Sequence, residues 1–192
     1  MLCNGQSPAQ FLIMTYNIFF ASDHHFSHEK LYSQFTDRRT GKFVRHEFAN
    51  ADEGNEAMIE RHNAVVKPTD RVYFLGDVVF SKKHLHLVGR MTGRKVLIKG
   101  NHDLLEAKEY LEYFDDIRGS HQFKGMVITH IPVHPQSLGR WGFNVHGHLH
   151  TERIMNPRES DGPDERYFNV SMEQINYTPI SLEEVRKHSP NL

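Results

Sequence analysis

The sequence predicts an α/β fold on three observations. Short runs of β-branched and aromatic residues recur along the chain, segments with helical apolar spacing separate them, and ligand-type polar residues stand directly after five of the runs. In order, the strand-like runs are 16–21, 71–75, 95–99, 126–129, 143–145 and 166–170. Between the first two, Met58, Ile59, His62, Val65 and Val66 fall at i, i+1, i+4, i+7 and i+8. That spacing gives one apolar helical face, and Pro68 closes the helix. Segments 85–91 and 104–114 read as further helices. Lys124-Gly125 between two strand-like runs predicts a hairpin into 126–129, which makes the sheet mixed. Ser181, three residues before Glu184, predicts a capping box for a final short helix. The polar stretch 156–166, with Pro157, Gly162 and Pro163, is the expected mobile surface loop.

Composition bounds the function. The 192 residues, 38% of them hydrophobic, suit one compact domain, expected over 14–192, with 1–13 an irregular N-terminal extension and Met14 opening the folded part. Lys+Arg 23 against Asp+Glu 24 leaves a formal charge of -1, so no global field steers the chain to duplex nucleic acid or an anionic membrane. An acidic substrate must be attracted locally. The single Cys3 permits no internal disulfide and no cysteine-rich zinc finger, which points to a reducing compartment and a cytoplasmic protein. The apolar run 11–21 is interrupted by Thr15, Tyr16 and Asn17, follows no Lys or Arg, and is too short to span a bilayer, so no membrane association is expected. Fifteen histidines are the outlier, in a side chain that serves as metal ligand and acid-base group.

The candidate chemistry sits at the ends of the runs. Asp23 and His25 follow the first, Gly76-Asp77 the second, and Gly100-Asn101-His102-Asp103 the third; His130 ends the fourth, and His146-Gly147-His148-Leu149-His150 closes the fifth. In open α/β sheets ligands bind outside the carboxyl ends of strands, so five such ends deliver their side chains to one place. Taken singly, each admits a plain structural role: Asp23 as a turn cap, Asp77 as a turn residue, 101–103 as a helix start, His130 as a hydrogen-bonded core imidazole. His148 and His150 are the strongest pair, since alternate extended residues face one side. The coincidence of carboxylates, an amide and imidazoles at successive run ends favours a metal centre.

These ordered motifs, Asp23-x-His25, Gly76-Asp77, Gly100-Asn101-His102-Asp103, His130 and Gly147-His148-x-His150, resemble the signature of the calcineurin-like metallophosphoesterases, in particular the small bacterial and phage phosphoesterases. The likeness spans roughly residues 14 to 185 and is supported by 19–26, 65–70 and Asn169-Val170-Ser171. It implies a four-layer α/β/β/α sandwich of two mixed sheets and two divalent metal ions. Carried over by motif, Asp23, His25 and His150 would hold the first ion, Asn101, His130 and His148 the second, and Asp77 would bridge. Manganese is the expected metal, with iron, zinc, nickel or cobalt compatible with such ligands. The resemblance further implies hydrolysis of phosphate mono- or diesters, small-molecule or nucleotide, by metal-activated hydroxide, with His102 giving the leaving oxygen its proton.

The chain also departs from the family. Gly76-Asp77 runs into Val78-Val79-Phe80, without the carboxylate and arginine that follow in the protein phosphatases. The phosphate-binding residues are therefore open, and Asp103 is the candidate for orienting His102. Arg45 and Arg140 read as solvated surface arginines, with anion contact as the alternative, and His24, His28 and His146 as supporting residues beside the ligands. Lys82, Lys83, Arg90, Arg94, Lys95 and Lys99 form an acid-free run between Val78 and Asp103. It keeps a nuclease acting on short or single-stranded nucleic acid as a competing reading, and a non-catalytic scaffold is a third. Homo-oligomerisation is left open by the sequence.

Overall fold

The computed structural model describes residues 16–157 and 162–188. The expected extension over 1–13 lies outside the described residues, as does the centre of the expected loop at 158–161. All six strand-like runs form strands. β1 (Ile18–Ala21), β2 (Arg71–Phe74) and β3 (Arg94–Ile98) lie parallel with β4 (Asp116–Arg118), and antiparallel β9 (Ile180–Ser181) completes a sheet of order β4-β3-β2-β1-β9. The second sheet has order β5-β6-β7-β8, from β5 (His121–Phe123), β6 (Met126–Ile128), β7 (Phe143–His146) and β8 (Tyr167–Asn169), with only the β5–β6 pair antiparallel. Lys124 and Gly125, at φ 46° and 83°, make the expected tight turn between β5 and β6, so this sheet is mixed.

The sheets share one core. Phe20, Tyr73 and Leu97 from the first are buried in the same cluster as Met126, Ile128, Phe143 and Val145 from the second, and Tyr73 stacks on His121 at 5.4 Å. At their carboxyl ends the sheets are stitched by backbone bonds, from Ser22 N–H to Val170 O at 2.9 Å and from Met172 N–H to Ser22 O at 3.0 Å. Helices flank the sheets. α2 (Ala51–Val65) starts where Asn50 Oδ1 accepts from Glu53 N–H at 2.9 Å, and it buries Met58, Ile59 and His62. Val65 departs from the expected apolar face: it is 39% exposed, because the helix ends there and Val66 carries the chain inward. α5 (Leu182–Lys187) begins at the expected cap, with Ser181 Oγ accepting from Glu184 N–H, which is the serine half of the expected capping box.

The other helices are single turns, α1 (Lys30–Ser33), α3 (His86–Gly89) and α4 (Ala107–Tyr110), shorter than 85–91 and 104–114 predict. Leu104 and Leu111 face water, and a continuous helix over 104–114 would gain no burial from them. Tyr110 and Phe114 make the core contact from one turn. Among the described residues no helix is long and apolar enough to cross a membrane.

Candidate metal centre

Each expected ligand lies just beyond a strand's carboxyl end: Asp23 and His25 past β1, Asp77 past β2, Asn101 past β3, His130 past β6, and His148 and His150 past β7. Parallel strands explain the convergence, since every chain exit points the same way and the two sheets meet along that edge. The turns needed to aim these side chains back are tight. Asp23, His25, Asp77, His148 and His150 all adopt positive φ, between 44° and 70°. That conformation is uncommon outside glycine and clusters at functional sites, at a cost of order 1–3 kcal/mol each. Gly76 has φ 91°, and a Cβ there would lie 2.5 Å from Gly100 N; one on Gly147 would collide with Ser22 Oγ. Both glycines let the loops close on one another.

The donors form two groups, Asp23 with His25 and His150, and Asp77 with His130 and His148; within each group one donor atom per residue lies within 4.8 Å of the others. Asp77 links them, its Oδ2 standing 3.6 Å from His25 Nε2 and 3.3 Å from His130 Nε2. Asn101 Oδ1 joins the second group at 2.9 Å from His130 Nε2. This is the division of ligands the motifs imply.

The donor atoms turn toward a common space. Asp23 is fully buried; its Oδ2 accepts from His148 N–H at 2.8 Å and Ser171 Oγ–H at 2.9 Å, while Oδ1 has no hydrogen-bond partner. A buried carboxylate oxygen without a partner is costly unless a positive charge compensates it. His130 Nδ1–H donates to Leu75 O at 2.6 Å, which turns Nε2 toward the oxygens of Asn101 and Asp77. Without a cation a proton on Nε2 serves those oxygens, and a cation in its place would meet Nε2 and both oxygens together. Burial lowers the His25 pKa well below its ordinary value, helped by the positive charges of His150 and Arg45, so the ring is a neutral donor at pH 7. Burial alone would raise Asp77, yet the bonds from His130 and His102 N–H hold its carboxyl below the usual range and keep it ionised. Carboxylate, amide oxygen and imidazole without thiolate suit a first-row divalent ion, and the residues fit a two-ion centre.

Supporting residues complete the centre, and two of them were invisible to sequence reasoning. Arg45, expected at the surface, is 0% exposed; its Nε donates to Glu173 Oε1 at 2.8 Å, and its two NH groups donate to His24 O at 2.7 Å and Asp23 O at 2.5 Å. Glu173 in turn accepts from His150 Nδ1–H at 3.1 Å. Burial pushes Glu173 upward, but His150 and Arg45 outweigh it and hold the carboxyl at about 2. Burial pulls the His150 pKa down, yet that carboxylate holds its Nδ1–H, raises the ring to about 9 and turns Nε2 toward the centre. The only sequence trace of Glu173 is its place two residues after Asn169-Val170-Ser171.

Asp103 does not orient His102. Its carboxylate is taken up by the N–H groups of Asp77, Val78 and Gly100 at 2.8, 3.0 and 2.8 Å, which pins the second turn to the third. His102 is placed instead by its own N–H, which donates to Asp77 Oδ1 at 2.8 Å; its exposed ring rests on Phe80 at 4.8 Å. His24 is a core ring stacked on Phe74 at 4.8 Å, His146 is buried with Nδ1 on Gly147 O, and Arg140 is exposed on a 3-10 turn. The basic run is partly neutralised: Lys82 pairs with Glu109 at 3.1 Å, Arg90 with Glu56 at 2.6 Å, and Lys99 lies over the Tyr110 ring.

Beside the centre lies a cavity of about 600 Å³, walled by His25, His102, His148 and His150 on one side and by the segment from His28 to Val44 on the other. Arg39 ties that segment to the opposite loop by donating to Thr151 O at 3.1 Å.

No protein-family model matches the chain. The sequence is 34% identical over 175 residues to the uncharacterized protein MJ1445 of Methanocaldococcus jannaschii, an alignment that covers 88% of this chain and 89% of that protein. The crystal structure of the protein of unknown function AQ665 from Aquifex aeolicus superposes with a TM-score of 0.65 at 25% identity, covering 90% of this chain and 99% of that one.

Proposed function

The chain belongs to the same family as MJ1445, and from its own residues we propose that it is a binuclear-metal phosphoesterase, a hydrolase with the four-layer sandwich of the calcineurin-like metallophosphoesterases. The observation that carries this reading is Asp77 Oδ2 standing between two donor groups while buried Asp23 Oδ1 lacks a partner. Asp23, His25 and His150 would hold one ion, Asn101, His130 and His148 the other, with Asp77 common to both and manganese the proposed metal. When bound, such a pair lowers the pKa of a shared water toward neutrality and withdraws charge from phosphoryl oxygens.

The chain's residues do the rest. Two aspartates against two divalent ions leave net positive charge, so the centre attracts a phosphate ester even though the whole chain is near neutral. Asp77 couples binding to proton delivery: Oδ2 faces the ligand groups while Oδ1 holds the backbone of His102, whose ring opens on the cavity. His102 is the proposed proton donor to the leaving oxygen, a role worth about 10² to 10⁴ in rate. Packing against Phe80 limits its rotation. The test is hydrolysis of p-nitrophenyl phosphate and bis(p-nitrophenyl) phosphate with and without added manganese. Activity that depends on manganese and disappears in Asp77→Ala is expected; full activity in that variant would overturn the reading.

A further inference from the structure

The cavity beside the centre is unlike the centre itself. Phe35, His28 and Phe80 form a continuous aromatic strip along it, with ring centroids 5.8 Å apart from Phe35 to His28 and 4.4 Å from His28 to Phe80. Phe80 then meets His25 at 5.1 Å and His102 at 4.8 Å, so the strip begins at the groups expected to act on phosphate. Leu31, Val44 and Leu149 extend the apolar wall. Phe35 and Phe80 are 47% and 44% exposed, an unusual concentration of bare aromatic surface in one place. The cavity is also lined by Lys30, Thr36, Asp37, Arg38, Thr151 and Glu152.

We propose that this cavity seats the nucleobase of a nucleotide ester whose phosphate lies at the metal centre, an inference that rests on the phosphoesterase reading and names its substrate class. A bare sugar or polyol has no flat face to lay on the strip and gains no stacking there. A flat ring laid along the strip stacks one face on Phe35, His28 and Phe80. The polar lining residues supply donors and acceptors for the edge of a heterocycle, which a plain phenyl ring cannot use. About 600 Å³ is the size of site that encloses a nucleotide-sized ligand.

The test is calorimetric titration of the manganese-loaded protein with non-hydrolysable methylene phosphonate analogues of AMP and ribose 5-phosphate, and with benzylphosphonate. The AMP analogue is expected to bind about tenfold or more tightly than the ribose analogue, and more tightly than benzylphosphonate. Phe35→Ala, at an exposed position away from the ligands, is expected to shrink the AMP advantage about fivefold, and Phe35→Trp to preserve it. Equal binding of the AMP and ribose analogues would overturn the inference and leave the phosphoesterase reading intact. Benzylphosphonate binding as tightly as the AMP analogue would overturn the nucleobase assignment. Failure of all three to bind, without manganese-dependent ester hydrolysis, would remove the reading on which the inference stands.

Discussion

Replacing Arg45 tests whether the centre is built on a buried ion pair. Arg45→Met keeps most of the apolar stem and removes the guanidinium, whose nitrogens serve Glu173, Asp23 O, His24 O and Tyr32 Oη. Arg45 is 0% exposed and the Glu173 side chain 3%, so water cannot readily replace the lost donors. Breaking one half of a buried pair costs about 3–5 kcal/mol, because the other charge is left uncompensated. That is a large fraction of the roughly 5–15 kcal/mol by which a domain is stable. Glu173→Gln in the same chain removes the stranded charge and retains an acceptor for His150 Nδ1–H, so the double variant is expected to be more stable than Arg45→Met alone. Urea unfolding of the four proteins in the cycle measures this. A loss below about 1 kcal/mol for Arg45→Met, or a coupling below about 0.5 kcal/mol, would refute the idea that this pair supports the site.

Two further outcomes follow from packing and burial. Gly147→Ala drives a methyl group onto Ser22 Oγ and to 2.5 Å from Asp23 Oδ2, and is expected to cost about 1–3 kcal/mol and to weaken manganese binding about 10- to 100-fold, read by urea unfolding and calorimetry. His62 is fully buried, with Nε2–H donating to Thr92 O at 2.9 Å and Nδ1 without a partner, and burial lowers its pKa to about 4. The unfolded chain therefore binds the proton first as pH falls. The stability contribution is complete above pH 6.5 and declines by about 3 kcal/mol toward pH 4. His62→Gln, which keeps a donor and cannot titrate, is expected to flatten the stability profile over that window by about this amount; unchanged slopes would contradict the assignment.

The candidate ligands could be read from the sequence because each follows a hydrophobic run, and parallel strands carry such run ends to one edge. Gly76 and Gly147 stand in the same motifs, and their lack of a Cβ lets the loops approach closely. What escaped reading was held by contacts distant in sequence. Arg45 and Glu173 are 128 residues apart and have no pattern in common, and an arginine preceded by Phe43 and Val44 gives no sign that it will be buried. β4 and β9 are three and two residues long and carry Asp116, Arg118 and Ser181, so neither length nor alternation announces them. They form because neighbouring strands offer a paired edge. Asp103 was placed correctly beside the site and misread in role: three backbone N–H groups reach its carboxylate before any side chain does.

The account depends on the paired donor groups, and diffraction from crystals grown with manganese tests it most directly. Data collected above the manganese absorption edge are expected to show two anomalous peaks per chain. One should lie among Asp23, His25 and His150, the other among Asn101, His130 and His148, with the Asp77 carboxylate touching both. A map with one peak or none, in which these side chains instead bond to one another, would contradict it.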